Sequence, residues 1–321
     1  MAVYTQVDEE ELENFLSGYD LGNVMSFKGI AEGIENTNYL LHTERGYFIL
    51  TLYEKRVAAA DLPFFVGLME HLAARGINCP QPVKNRKGAA LGELAGRPAM
   101  IVTFLEGVWL RRPNAEHCAA LGRAMAELHG AGASFRLRRE NALGLAGWKK
   151  LAPVATARAD EIAPGLAALI LEELAYVEKN WPRRLPAGVI HADLFPDNVF
   201  FLGGKLSGLI DFYFACNDLF AYDIVISLNS WCFEIDGSFN VTKSRALFAG
   251  YNEVRRLEQS EVEALPLLAR GAALRILLTR TVDWLNVPPG ALVRPKDPLE
   301  YLKKLRFHRR IDHARDYGLA A

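Results

Sequence analysis

Between Val189 and Phe212 the chain alternates short apolar runs with polar residues at fixed offsets, and few folds can hold that pattern. Val189-Ile190 leads into His191-Ala192-Asp193, then Leu194-Phe195-Pro196-Asp197-Asn198, before a second β-type run begins at Val199. Gly203-Gly204-Lys205 makes a turn, and Leu209-Ile210 brings the chain to Asp211-Phe212. Asp193 and Asn198 therefore lie five apart on a loop between β-type segments, and Asp211 ends the next such segment. Loops held by buried strands are where catalytic groups tend to sit. An Asp that accepts a hydroxyl proton, with an Asn and an Asp offering hard oxygens to Mg²⁺, is the equipment phosphoryl transfer needs. The competing reading is local, because loop Asp and Asn side chains often turn or cap the backbone. Asp197, directly after Pro196, is read that way, and His191 is read as a bracing or core histidine.

The pattern H-x-D-x-x-x-x-N followed by I-D-F resembles the catalytic and metal-binding loops of protein-kinase-like small-molecule kinases. That group includes the aminoglycoside phosphotransferases and the choline, methylthioribose and homoserine kinases. The resemblance implies Asp193 as catalytic base, His191 as the brace of its loop, and Asn198 and Asp211 as metal ligands. It also implies that Asp223, in Tyr222-Asp223-Ile224, anchors the loop from the following helix; a plain helix N-terminal Asp, favoured by the dipole, is the alternative. Protein kinases carry Arg after the motif's His, whereas Ala192 stands here. No switch through a phosphorylated activation loop is therefore expected.

The remainder of the chain reads as β-rich first and helical afterwards. A short helix is expected over Asp8 to Gly18, then strands at Val24–Ile30, Thr37–His42 and Tyr47–Tyr53, the last two joined by Thr43-Glu44-Arg45-Gly46. The segment from Gly29 through Gly33 to Asn36 joins the first two strands; by itself it reads as an ordinary two-glycine turn, and ahead of a catalytic loop as a cover whose backbone amides lie over phosphates. A helix is expected from Ala58 to Arg75, and a strand from Arg97 to Leu105. In kinase-like folds that strand ends in the adenine-binding hinge, which implies Thr103, Phe104 and Leu105 here. Helices follow at Ala115–His129, Leu166–Lys179, Ala221–Phe233, Lys243–Glu258 and Glu261–Trp284, with a charged last one from about Leu299. The expected fold is α+β and two-lobed, protein-kinase-like, with a nucleotide-binding lobe over 1–105 and a mainly helical catalytic and acceptor-binding lobe over 106–321.

Composition narrows the class. Of 321 residues, 50% are hydrophobic and 23% charged, which suits a globular chain with a sizeable core. The net charge of −1 offers no basic excess for nucleic acid or an anionic membrane. Met1 to Glu13 is unlike a secretory signal, and no apolar run approaches a membrane span. Cys79, Cys118, Cys216 and Cys232 are widely spaced and read as reduced, buried thiols, so a cytoplasmic location is expected.

One departure stands out. Where kinase-like folds carry a lysine on the third strand, Phe48-Ile49-Leu50-Thr51-Leu52-Tyr53 places Thr51, and the facing helix offers Phe65, with Glu70 as its only glutamate. Lys55 and Arg56 lie just beyond the strand. A threonine in this place is similar to the homoserine kinases of the aminoglycoside-phosphotransferase-like class. So are G-I-E-N-T-N-Y, I-L-T-L-Y-E, T-F-L-E-G, H-A-D-L-F-P-D-N, I-D-F and K-D-P-x-E-Y-L, which together span residues 24 to 302 in order. The resemblance implies ATP and Mg²⁺ as cofactors and L-homoserine as the acceptor, phosphorylated as a step toward threonine.

An amino-acid acceptor needs a cation for its carboxylate. Arg275 and Arg280, set in an apolar helix, are the candidates, each with a buried acid as its alternative partner; Trp231 is a further acceptor candidate. Choline would instead need an aromatic cage, for which Trp231, Trp284, Tyr213 and Tyr222 are available. A kinase of choline or ethanolamine, or a nucleotide-binding module without catalysis, are the competing readings.

Overall fold

The computed structural model describes residues 5–30, 36–54, 57–287 and 295–319. It resolves into two compact units, Met1–Glu106 with Gly208–Tyr213, and Gly107–Ser207 with Phe214–Ala321.

In the first unit α1 (Glu9–Leu16) begins at Asp8, whose carboxylate accepts the Glu11 N–H, and its acidic first turn suits the helix dipole. Then come β1 (Val24–Gly29), β2 (Thr37–Thr43), β3 (Gly46–Leu52), α2 (Leu62–Ala73), β4 (Leu91–Leu94) and β5 (Arg97–Thr103). The five strands form one antiparallel sheet in the order β1-β2-β3-β5-β4. β2 alternates strictly between buried and half-buried positions, the period a one-sided strand requires. Its Tyr39 and Leu41 join Leu50, Leu52, Ala99 and Ile101 in a core that Leu12 and Leu16 of α1 also enter. The β2–β3 turn closes on Gly46 at φ +115°, which glycine adopts without Cβ strain.

The second unit holds α3 (Ala115–Gly132), α4 (Leu145–Thr156), α5 (Leu166–Asn180), β6 (Ala187–Ile190), β7 (Val199–Leu202), β8 (Lys205–Leu209, whose last two residues count with the first unit), β9 (Cys216–Leu219), α6 (Phe220–Trp231), α7 (Val241–Val254), α8 (Gln259–Leu285) and α9 (Pro298–His308). β6 pairs antiparallel with β9, and β7 pairs with β8. Helices α3 and α7 meet backbone to backbone: a Cβ on Gly122 would stand 2.2 Å from the Leu247 carbonyl, and one on Gly250 2.1 Å from that of Ala119. α8 runs through the interior and is buried along most of its length from Leu265 to Thr281.

The sequence reading names none of α4, β4 and β9. α4 is bounded by Gly144 and contains Gly147 and Pro153, and β4 contains Gly92, so breakers mask both patterns. All four cysteines are free and buried, and burial pushes the Cys79 and Cys216 thiols up to about 12. Among the described residues no helix is long and apolar enough to cross a membrane.

Candidate active site

In the second unit β6 delivers the chain to a turn that two side chains hold through three hydrogen bonds. Ala192 sits at φ +63°, a left-handed conformation that costs an L-residue energy and persists only where its surroundings enforce it. Asp223, in the first turn of α6 and wholly buried, accepts the His191 N–H at 2.9 Å and the Ala192 N–H at 2.8 Å. Arg275 Nη1 of α8 donates to the Ala192 carbonyl at 2.5 Å. Both N–H groups and the carbonyl of the strained turn are thus bound by charged side chains. Asp223 reaches the loop from the first turn of the following helix.

Burial pushes the Asp223 carboxyl up, but the His129 hydrogen bond, the His129 and His191 charges and the His191 N–H outweigh it, so it titrates below its ordinary value. His129 closes a buried chain: Nε2 lies 3.1 Å from Asp223 Oδ2 and Nδ1 lies 2.8 Å from the Tyr251 hydroxyl. An ionised carboxylate only accepts, so Nε2 carries the proton in this arrangement. Arg255 donates to the Tyr251 hydroxyl at 3.2 Å and grips Glu261 through both terminal nitrogens, at 3.1 and 2.9 Å. Sequence reasoning did not pick out His129. Its one signal was a histidine closing the Leu121, Met125, Leu128 stripe of an otherwise apolar helix face.

Asp193 follows this turn, and its side chain is 19% exposed. Asn198 Nδ2 donates to the Asp193 carbonyl at 2.7 Å and to Asp193 Oδ2 at 3.1 Å, which leaves the Asn198 amide oxygen directed away from that pair. The loop brings the two together as their spacing predicts. His191 is fully buried beside Asp223, in a bracing position.

The three acceptor candidates already have partners. Arg280 donates to Glu300 at 2.6 Å and to the Asp297 carbonyl at 3.0 Å, and its guanidinium lies over the Tyr301 ring. Trp231 is 1% exposed and its indole N–H donates to the Leu194 carbonyl at 2.8 Å. Arg275, equally buried, binds the Ala192 carbonyl and approaches Asp193 Oδ1 at 3.7 Å. An apolar interior accommodates such residues only when their polar ends find partners inside. Of the aromatic residues suggested for a cage, Tyr222 and Trp231 are buried and Trp284 is 43% exposed on α8, while Tyr213 belongs to the first unit.

In the first unit Asp211 is exposed and sits at φ +64°. Two residues on, Tyr213 accepts a hydrogen bond from the Tyr53 hydroxyl at 3.0 Å, and its ring packs edge-on against Phe65. Burial pushes the Tyr213 phenol up to about 12; hydrogen bonding with Tyr53 and Thr51 pulls it back, and the Asp211 charge pushes it up again. Thr51, 2% exposed, donates to Asn38 Oδ1 at 2.7 Å. In place of a lysine and its helix acid, this unit therefore packs Thr51, Tyr53, Tyr213 and the Phe65 ring. Glu70 is not turned to Thr51; it pairs with Lys84 at 3.0 Å on the surface.

Gly29 ends β1 opposite Tyr39, and Asn36 is buried with its side-chain oxygen accepting the Glu54 N–H at 3.3 Å. Gly33, with the centre of its loop, and Lys55 and Arg56 lie outside the described residues. Thr103 closes β5, exchanging backbone and side-chain bonds with Gln81 at 3.0 Å each; the β5 strand stops here, two residues before the expected end. Phe104 is 40% exposed beside Tyr47, and Leu105 packs where a Cβ on Gly208 would fall, 2.7 Å from its Cδ1.

Among the described residues no cluster of three or more His, Cys, Asp or Glu side chains forms an all-protein cage. A Mg²⁺ completed by nucleotide phosphates and water needs only one or two protein oxygens. The Asn198 amide oxygen and the exposed Asp211 carboxylate have the hard-oxygen chemistry for it.

Comparison with known proteins gives the family and the fold. The model of the phosphotransferase enzyme family matches residues 26–257. The homoserine kinase of Xanthobacter autotrophicus is 68% identical over 321 residues, covering all of both chains. That of Bradyrhizobium diazoefficiens is 66% identical over 320 residues, covering 99% of this chain and 98% of its own. Among solved structures, an amicoumacin kinase superposes with a TM-score of 0.71 at 17% identity, covering 95% of this chain and 93% of that one. A choline kinase from Cryptosporidium parvum gives 0.70 at 14%, covering 94% and 95%. At such identities these two speak for the fold alone, which is the α+β kinase-like one. The chain belongs to the phosphotransferase enzyme family, and within it to the homoserine kinases.

Proposed function

We propose that this protein transfers the γ-phosphoryl group of ATP to the side-chain hydroxyl of L-homoserine, giving O-phospho-L-homoserine and ADP, with Asp193 as the base and Asn198 and Asp211 as Mg²⁺ ligands. The observation that carries the activity is 68% identity over the full length of both chains with a protein named homoserine kinase.

The chemistry balances simply. The acceptor oxygen forms a bond to the γ-phosphorus as the bond to the bridging oxygen of ADP breaks, and the hydroxyl proton passes to Asp193. Phosphoryl transfer of this kind is catalysed chiefly by positioning and charge neutralisation. Asp193 holds the hydroxyl in line, and its own place is fixed by the Ala192 turn that Asp223 and Arg275 bind. Asn198 steadies the same carboxylate through Nδ2 while its oxygen stays available for the metal. Asn198 and Asp211 would hold Mg²⁺, which would supply positive charge against the charge that builds on the transferred group. Residues of the Gly29 to Asn36 segment cover the phosphates, and Thr103 to Leu105 meet the adenine.

The test is ADP release from Mg-ATP with L-homoserine, choline or ethanolamine, in the natural protein and in Asp193→Asn. Homoserine-dependent release is expected, with kcat falling roughly 10²–10⁴-fold in the variant and ATP binding kept, the range for loss of a general base. Full turnover in Asp193→Asn would remove Asp193 from its role; preference for choline or ethanolamine would replace the acceptor. Release of no ADP with any acceptor, while ATP binds, would leave a nucleotide-binding module.

A further inference from the structure

An amino-acid acceptor presents a carboxylate and an ammonium on one carbon, and the protein must meet both without disturbing the hydroxyl at the other end. The two arginines that the sequence offers for the carboxylate are engaged elsewhere. Arg275 is bound to the Ala192 carbonyl, and Arg280 to Glu300 and the Asp297 carbonyl.

Arg280 nevertheless has a consequence for the site. By holding the Asp297 carbonyl it fixes the start of α9, where the Asp297 side chain also caps the Leu299 N–H at 2.8 Å. The residue just before this anchored point is Lys296. Its ammonium lies 5.7 Å from the centre of the Phe195 ring and 3.4 Å from Asp197 Oδ2. Phe195 and Asp197 belong to the loop that carries Asp193 and Asn198. A lysine and an aspartate thus stand side by side at the outer edge of that loop, 61% and 49% exposed.

A pair this long and this open to water contributes little to folding, and either member can exchange its partner for a ligand group. Its two charges are the complement of an amino acid's head: an ammonium for the carboxylate, a carboxylate for the ammonium. A lysine suits the exchange, being a compact charge on a flexible stem rather than a fixed fork. We propose that Lys296 and Asp197 together read the α-amino-acid head of the acceptor, Lys296 binding its carboxylate and Asp197 its ammonium. They are specificity-determining residues, while Arg275 positions the turn before the base. The proposal rests on the reading of Asp193 as the acceptor-facing base.

Steady-state kinetics with L-homoserine and with 3-aminopropan-1-ol, the same alcohol without its carboxylate, test it in Lys296→Met, Lys296→Arg and Asp197→Asn. Lys296→Met is expected to raise the KM for homoserine at least tenfold, with the KM for Mg-ATP and the melting temperature little changed. Its preference for homoserine over aminopropanol should shrink by a similar factor. Lys296→Arg should keep most of the affinity, and Asp197→Asn should raise the KM for both acceptors, since both carry the ammonium. A homoserine KM within twofold of the natural protein's in Lys296→Met overturns the proposal. So does a fall in kcat alone, which would make Lys296 a positioning residue. Failure of the underlying reading looks different: Asp193→Asn would then turn over normally whatever the Lys296 variants do.

Discussion

Ala192 and Asp211 both adopt left-handed backbone, φ +63° and +64°, next to or at a proposed functional carboxylate, yet their surroundings differ in kind. In the second unit the turn is held by ionised groups in a dry interior, Asp223 on the two N–H groups and Arg275 on the carbonyl. In the first unit the contacts around Tyr213, two residues beyond Asp211, are between neutral groups, Tyr53 to Tyr213 and Thr51 to Asn38, and Asp211 itself is exposed. A buried charge is tolerable only when fully partnered, and removing one partner strands the rest. A hydroxyl bond exchanges for water at little net loss. The turn before the proposed base should therefore be stiff and unforgiving, and the surroundings of the proposed metal ligand adjustable. That division suits a base that must be placed within a fraction of an ångström, against a metal that brings its own water and phosphate ligands.

The sharpest test is Asp223→Asn, which leaves the strained turn with a weaker acceptor and a buried histidine without its anion. Loss of about 3–5 kcal/mol is expected in urea unfolding, the range for breaking a buried charged pair. A shift as small as a surface substitution's would dissolve the contrast between the two regions. Arg275→Met should act on rate more than on affinity. Turnover should fall roughly 10²-fold, the effect of a misplacement near 1 Å, with the homoserine KM kept within twofold. A raised homoserine KM with unchanged kcat would return Arg275 to the acceptor's carboxylate.

Tyr53→Phe removes one neutral hydrogen bond and should cost about 1 kcal/mol. A loss equal to that of Asp223→Asn would show that the hydroxyl region is as rigid as the charged one. Acid and alkali should separate the regions most gently. The Asp223 carboxyl titrates below its unfolded value of about 3.9, so its contribution is complete above that pH and is lost as pH falls below it. Burial, then the Tyr213 charge and bond, raise the Tyr53 phenol well above its ordinary value. Its contribution is therefore complete below about pH 10 and disappears as pH rises further. Unfolding followed across pH should lose part of its slope below about pH 3.9 in Asp223→Asn and part of its slope above about pH 10 in Tyr53→Phe; slopes unchanged from the natural protein's in both variants would break the assignment.

A third buried titratable group lies apart from both regions. Burial, with Lys304 and Arg270 nearby, lowers the His308 pKa to about 3, and its ring bonds Tyr317 and Asn229 at 2.7 and 3.0 Å. The unfolded histidine takes up its proton near pH 6.5, so stability should decline between pH 6.5 and 3 by on the order of 1.4 kcal/mol per unit. His308→Asn should flatten that stretch of the curve, and an unaltered slope would assign it to other groups.

Much of this arrangement was legible in the chain, for reasons that differ residue by residue. The β2 alternation and the Leu121, Met125, Leu128 stripe are local periodicities, and the elements they predict appear within a few residues of their expected ends. Asp193 and Asn198 meet because five residues of loop can bring them together without help from elsewhere. Helix α4 escaped because Gly147 and Pro153 disguise its period. Arg275, Arg280 and Trp231 were marked as unusual, but not for the partners they have. Those lie 83, 20 and 37 residues away in the chain, at Ala192, Glu300 and Leu194.

The sequence by itself determined the order of elements, the family and the identity of the polar loop residues, since each is written in short-range spacing. Only the tertiary structure decided which charges are spent inside and which remain at the loop's edge. It engaged Arg275 and Arg280, linked Asp223 through His129 to Tyr251, and left Lys296 beside Asp197 in a long, open pair. The physical reason is that burial makes an unpartnered charge costly, and a partner far along the chain becomes a neighbour only once the helices have packed.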